Sequence, residues 1–380
     1  MNRSMFAGVN SPQGFIDYFG NILPSAKAAK RWYLKGPSGC GKSTFMKKLV
    51  SEVAGTGKTA ELFHCANDAQ SLDAVAVVDA GVCVMDATAP HARDPEFPRN
   101  LDILLDFSQF LDEKLLHENS SELIHLGHTR KLMYEQAGGY LAALGKIYNA
   151  DMLSGSSTLN EAKMHELARG WIREIIGEQV NLGRHQVAVN IQGTSDGLAQ
   201  SKTVDRKLFL SALTPDGRVS FMNNFRNNNI VYGIKSMRGG VGVDRFLSAI
   251  KNMAKFYGIS IESFHNPLAP ERIEALHLFG EALQTSVAIM PVEGIFSYSG
   301  VENARIELEA CFDVKALDIL PHNNDLIETL LKSTTEMLYK AREVHSEIEC
   351  IYTNALMYTE LDEMSSNAID SIIGHVTQIV

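Results

Sequence analysis

The sequence predicts an α/β protein of two tandem domains. Each is a mostly parallel sheet flanked by helices, and each carries a helical appendage. Three observations predict it. Near residue 40 a short apolar strand runs into a glycine-rich turn and then an amphipathic helix. Features of that segment recur about 200 residues later, as a repeated supersecondary unit requires. Each half ends in a similar amphipathic segment, 159–176 and 361–379. At 380 residues the chain is long for one core and comfortable for two.

The elements follow in order. Residues 6–9 and 15–19 flank Ser11-Pro12-Gln13-Gly14 and read as an entry hairpin. Trp32, Tyr33 and Leu34 read as a buried strand, and Phe45, Met46, Leu49 and Val50 as the apolar stripe of a helix over 42–53. Between them stand Gly36, Pro37, Ser38, Gly39, Cys40, Gly41, Lys42, Ser43 and Thr44. They form a complete G-x-x-x-x-G-K-[ST] phosphate-binding loop. A strand, a glycine turn and a helix N-terminus leave backbone N–H groups pointing into one concavity, and the helix dipole adds positive potential there. Lys42 would reach the β- and γ-phosphates, and the Ser43 hydroxyl would ligate Mg²⁺. ATP with Mg²⁺ is the expected cofactor pair. Residues 54–59 imitate a second such loop, but Glu52 stands where its first glycine belongs, so they read as a helix end and turn.

Further along, 60–65 reads as a strand, 72–78 and 82–85 as short apolar runs, 101–148 as helical, and Met164, Leu167, Ala168, Trp171, Ile172 and Ile175 as another helix stripe. The expected domains are 1–182 and 204–380, joined by a linker at 183–203.

Hydrophobic content of 45% and charged content of 21% are those of a globular protein. A net charge of −10, with no basic run, argues against a nucleic-acid or anionic-membrane binder. The first 19 residues have no apolar core of signal-peptide type. Five cysteines without metal-ligand spacing suggest the reducing cytoplasm.

A phosphate loop needs an acid at the end of a neighbouring apolar strand. Asp86 and Asp79 both fit, and Asp86 is preferred because Thr88 and His91 follow it. Ser43 and Asp86 are thus the expected metal ligands, and Lys42 and Asp86 the expected catalytic pair. Ala87 occupies the position where many such ATPases carry a water-polarising glutamate. Asp68 is a further catalytic candidate, facing an acceptor, or else an ordinary turn former. Arg93, Arg99, Arg130, Arg238 and Arg245 are candidates to meet a γ-phosphate.

The repeat places Gly39, Gly41 and Phe45 on Gly240, Gly242 and Phe246, and Phe63-His64 on Phe264-His265, all at an offset of 201. In the second half Val243 replaces the lysine and Asp244 the metal-binding hydroxyl. An acid there repels a triphosphate. The second half is therefore expected to keep the fold and lose the nucleotide. The recurrence of His64 at His265, where no lysine remains, suggests a structural histidine.

With this architecture and the segment Asp86-Ala87-Thr88-Ala89-Pro90-His91, the chain resembles a bacterial family of tandemly duplicated P-loop NTPase proteins labelled ATPase or nucleotide kinase. The resemblance covers nearly the whole chain and implies ATP binding. Three functions stay open: a slow Mg-dependent ATPase stimulated by a partner or substrate, a kinase acting on a nucleotide or other small molecule, and a non-catalytic ATP-responsive binding module. The absence of an Asn-Lys-x-Asp sequence favours ATP over GTP. The partner is an unidentified small molecule or protein.

Overall fold

Strand pairing in this computed structural model builds two six-stranded sheets. Residues 2–23, 30–181, 203–226, 229–281, 283 and 285–378 are described. In chain order the elements are β1 (Arg3–Met5), β2 (Gly8–Ser11), β3 (Gly14–Asp17), β4 (Lys30–Lys35), α1 (Lys42–Gly55), β5 (Glu61–His64), β6 (Leu72–Val77), β7 (Val82–Asp86), β8 (Asp102–Asp106), α2 (Glu113–Glu118), α3 (Ser120–Ser156), α4 (Glu161–Asn181), β9 (Asp205–Leu208), β10 (Ser211–Thr214), β11 (Gly217–Ser220), β12 (Asn229–Lys235), α5 (Val243–Phe256), β13 (Ser260–Asn266), β14 (Ala269–Phe279), β15 (Ser286–Pro291), β16 (Ala304–Glu307), α6 (Val314–Ile319), α7 (Asn324–Asn354) and α8 (Tyr358–Gln378).

Contacts divide the chain into two units, and neither is one stretch of sequence. Unit 1 comprises Met1–Gly145, Phe209–Val219 and Asp325–Val380; unit 2 comprises Lys146–Leu208 and Ser220–Asn324. Helices α7 and α8, late in the chain, thus belong with the first phosphate loop, and α4 belongs with the second-half sheet. Of the linker expected at 183–203, all but Thr203 lies outside the described residues.

In unit 1 the strand order is β1-β5-β6-β7-β4-β8. β1 with β5, β7 with β4, and β4 with β8 are parallel, whereas β6 runs antiparallel to both neighbours. All six residues of β6 are buried, the mark of a strand covered on both faces. On one face α1 contributes Phe45, Met46, Leu49 and Val53 to a core with Trp32, Leu34, Val75 and Val84. α8 completes that core with Leu361, Ile369, Ile372 and Val376, at the three- and four-residue spacing of one helix stripe. Burying such side chains contributes about 1.5–3 kcal/mol each, so α8 is integral to unit 1.

Unit 2 has the order β9-β13-β14-β15-β12-β16, with the same parallel and antiparallel senses at each step. The likeness extends to irregularities. β5 has a register shift between Phe63 and His64, and β13 has one between Phe264 and His265. Each histidine donates its Nδ1–H to a carbonyl five residues on, His64 to Ala69 at 2.7 Å and His265 to Pro270 at 2.6 Å. Both pin the bulged corner that follows the strand.

One expectation is corrected. The stretch 101–148 is not helical from its start: 102–106 form β8, and the long helix α3 begins at Ser120. Ile103 and Leu105 are half-buried while Leu104 is half-exposed, so the local pattern was short and ambiguous. Pairing with β4 overrides it. Buried Asp102 anchors the strand by accepting the N–H groups of Glu96 and Phe97, both at 2.8 Å. Among the described residues no helix is long and apolar enough to cross a membrane.

Candidate functional site

The glycine-rich loop lies between β4 and α1, as its chemistry requires. Gly39 and Gly41 adopt φ of +82° and +94°, a region that L side chains enter at a cost of about 1–2 kcal/mol. Gly41 is the N-cap of α1, and Lys42 is its first residue. The Lys42 ammonium donates to the carbonyls of Gly36 at 2.6 Å and Pro37 at 2.7 Å and lies 3.5 Å from Asp86 Oδ2. It is nearly buried and so held at the mouth of the cradle.

Asp86 ends β7, directly beside β4, with Leu34 as its register partner. That strand order brings it to the loop. Asp79 belongs to the 3-10 turn of Val78–Ala80 that joins antiparallel β6 and β7, at the opposite end of β7. The Asp86 carboxylate accepts the Thr88 N–H at 2.8 Å, and the Thr88 hydroxyl donates to the Gly36 carbonyl at 3.1 Å. Ser43 Oγ accepts the Leu72 N–H at 3.1 Å, which orients the hydroxyl.

This loop opens into a cleft of about 660 Å³, within the usual range for small-molecule sites. Asp68 lines it, yet its carboxylate accepts the Gln70 N–H at 3.1 Å and the Ser71 hydroxyl at 2.5 Å. Those bonds make the turn after β5, the ordinary alternative for this residue.

Sequence reasoning missed three contributors. Asp73 is the second residue of β6; because β6 is antiparallel, its first residues lie beside the end of β7. Burial pushes the Asp73 carboxyl up to about 6, against the opposing pull of His91, whose Nε2 lies 3.7 Å away. Cys65 stands on the same wall, its thiol pushed well above the usual range by burial. The third contributor is the pair α7 and α8. Thr353 donates its hydroxyl to the Gly39 carbonyl at 3.1 Å, and the α7 backbone passes so close that a Cβ at Gly39 would stand 2.5 Å from the Glu349 carbonyl oxygen. Reading 72–86 as a hairpin would have revealed Asp73; no local signal announces α7.

The candidate arginines disperse. Arg93 pairs with Asp17, Arg99 lies in a turn at φ +62°, and Arg130 bonds His345 at 2.7 Å. In unit 2, Arg238 donates to the Leu320 and Pro321 carbonyls, and Arg245 pairs with Glu161. The arginine lining the unit 1 cleft is Arg342 of α7, paired with Asp216 at 2.8 Å.

The corresponding place in unit 2 keeps the turn and changes its side chains. Gly242 caps α5 at φ +81°, so the turn persists. Val243 opens the helix where Lys42 does in unit 1, and Asp244 follows. Ala87 N–H bonds the Leu34 carbonyl, and Val292 N–H bonds that of Ile234, so Pro291 stands where Asp86 stands. Arg272 lies 3.6 Å from Asp244, whose carboxyl burial nonetheless holds above the usual range. The remaining space, about 30 Å³, is room for a water or two.

With both geometries in place, the comparisons with known proteins add one finding. A family model described as RNA helicase matches residues 32–97. That stretch is similar to a P-loop NTPase-type family. It runs from β4 through the glycine-rich loop and α1 to just beyond Asp86. No curated protein matches the chain, and no solved structure matches it.

His265 carries an acid-stability prediction. Burial lowers its pKa from 6.5 to about 4. The folded state therefore holds fewer protons than the unfolded one between those values, so this contribution is full above pH 6.5 and is lost as pH falls toward 4, by about 3 kcal/mol. Asp73, with its raised pKa, has the opposite sign: its ionisation weakens unit 1 as pH rises from 3.8 to about 6. His265→Gln is expected to flatten the acid limb of unit 2, read as hydrogen-exchange protection of β13 and β14 against pH. Equal limbs in both proteins would remove His265 as the cause.

Proposed function

We propose that the chain binds one Mg·ATP, in unit 1, and hydrolyses it slowly unless a partner or substrate engages the cleft. The observation that carries this reading is the Lys42 ammonium, seated between the Gly36 and Pro37 carbonyls and Asp86 at the mouth of the glycine cradle. Lys42 exchanges those carbonyls for phosphate oxygens and stabilises the charge that grows on them during transfer. Residues 36–44 supply N–H groups and a helix N-terminus for the rest of the polyphosphate.

The donors fit Mg²⁺. One hydroxyl, Ser43, and one carboxylate, Asp86, flank the cradle, and among the described residues no cluster of three or more His, Cys, Asp or Glu could enclose a metal. A cation held by two protein oxygens, phosphate and water is how Mg²⁺ is bound to nucleotides. It would supply charge neutralisation on the phosphates.

Ala87 leaves Asp86 without an adjacent glutamate, which supports slow turnover. Phosphoryl transfer to an acceptor is favoured by one observation: the cleft continues past Asp86 along Cys65, Asp68 and Asp73. The likeness to RNA helicases lies over the nucleotide-binding part alone, so nucleotide binding is carried over and RNA is not. The matched strand orders of the units support the reading of a duplicated chain whose second copy has lost its site.

Asp86→Asn tests the metal assignment. Phosphate release from Mg·ATP is expected to fall by a hundredfold or more, while metal-free ATP still binds, since Lys42 and the cradle are untouched. Undiminished release in the variant would remove Asp86 from the site.

A further inference from the structure

The polyphosphate direction in this cradle is set by its two walls. Asp86, Asp73 and His91 lie at the end of β7 and the start of β6, on one side of β4. That acidic side takes the metal and the γ-phosphate, next to Lys42. The nucleoside must then leave on the other side of β4, where β8 ends and the 3-10 turn of Phe107–Phe110 follows. α8 begins there. Leu111 bridges to Leu356, and Met357 N–H bonds the Phe110 carbonyl. Leu361 stands 3.4 Å from where a Cβ of Gly41 would be.

On this side the cleft presents an exposed aromatic ring. Tyr358, the first residue of α8, lines the cleft and is 55% exposed. Its ring is held in place: the hydroxyl donates to the Thr353 carbonyl at 3.2 Å, and the Thr353 hydroxyl donates to the Gly39 carbonyl of the loop at 3.1 Å. One helical turn on, Asp362 pairs with Lys48 of α1 at 3.0 Å, both well exposed. Such a pair has little strength of its own and leaves a donor and an acceptor beside the ring.

We propose that the Tyr358 face is the platform on which the nucleobase stacks, with the Lys48–Asp362 pair at the base edge. This rests on the loop of unit 1 being the polyphosphate site. The late helix α8 thus supplies a base-stacking surface to a loop that stands early in the chain. Stacking tolerates any base, since each has a π face, so the platform sets affinity for nucleosides over bare polyphosphate.

The test compares ATP with inorganic tripolyphosphate, each with Mg²⁺, titrated calorimetrically into the full chain. Tyr358→Ala is expected to weaken ATP about tenfold and leave tripolyphosphate unchanged. Tyr358→Phe keeps the ring and is expected to retain ATP affinity, which separates stacking from the hydroxyl's bond to Thr353. Unchanged ATP affinity in Tyr358→Ala would overturn the platform. So would an equal loss for both ligands, because the ring would then serve only the loop. A wild-type chain that binds neither ligand would overturn the loop reading, and the platform with it.

Discussion

Lys42→Ala is expected to weaken Mg·ATP binding about a hundredfold and to abolish phosphate release. The ammonium makes two short hydrogen bonds to loop carbonyls, at 2.6 and 2.7 Å, in a nearly buried position. Phosphate oxygens carry more charge than carbonyls, and charge-assisted hydrogen bonds are worth about 1.5–3 kcal/mol each. Losing one or two of them accounts for the expected loss in affinity. Stability should change little. The Gly36 carbonyl keeps the Thr88 hydroxyl as a partner, and the carbonyls face a cleft that water can enter. The check is calorimetric titration together with thermal unfolding of the ligand-free chain. Normal binding by a folded Lys42→Ala chain would show that the triphosphate is held elsewhere.

Gly39→Val is expected to do more, by damaging both fold and site. The new Cβ would stand 2.5 Å from the Glu349 carbonyl oxygen and 3.0 Å from its Cα. Those atoms belong to the interior of α7 and cannot swing aside as a side-chain tip would. The φ of +82° adds the left-handed penalty, larger for a β-branched residue. Overpacking and backbone strain together come to about 3–5 kcal/mol. Relief requires α7 to leave the loop, which breaks the bond from Thr353 to the Gly39 carbonyl. The thermal midpoint of unit 1 should fall clearly, and ATP binding should be lost. A variant with an unchanged midpoint and unchanged binding would contradict the close approach of α7.

What the sequence disclosed followed the range of the interactions involved. The cradle is local: nine consecutive residues with a strand before and a helix after define it, and Gly36 to Thr44 lie where the motif demands. Asp86 and Asp79 fitted the same pattern of an acid ending an apolar run; the polar Thr88 and His91 favoured Asp86, and it is Asp86 that lies 3.5 Å from Lys42. Asp73 was hidden because its place depends on β6 running against β7, and a run of six buried residues does not announce its direction. β8 was hidden because an edge strand of five residues offers too few turns of pattern to separate it from a helix. Pro291 was hidden by spacing. The offset between halves is 201 at Phe63 and Phe264 but 205 at Asp86 and Pro291, since the connection from β14 to β15 is longer than that from β6 to β7. The presence of α7 and α8 in unit 1 depends on tertiary contacts hundreds of residues apart. The apolar stripe of α8 was read over 361–379 and fixed that it would pack, but nothing in it named the sheet, and α7 was not read at all.

The central claim is a single nucleotide site per chain, made in unit 1 and erased in unit 2 by Val243, Asp244 and Pro291. Its most direct measurement is the stoichiometry of Mg·ATP binding to the full chain by calorimetry, in parallel with Lys42→Ala. One equivalent that disappears in the variant is the predicted result. Two equivalents, or one that survives the loss of Lys42, would contradict it.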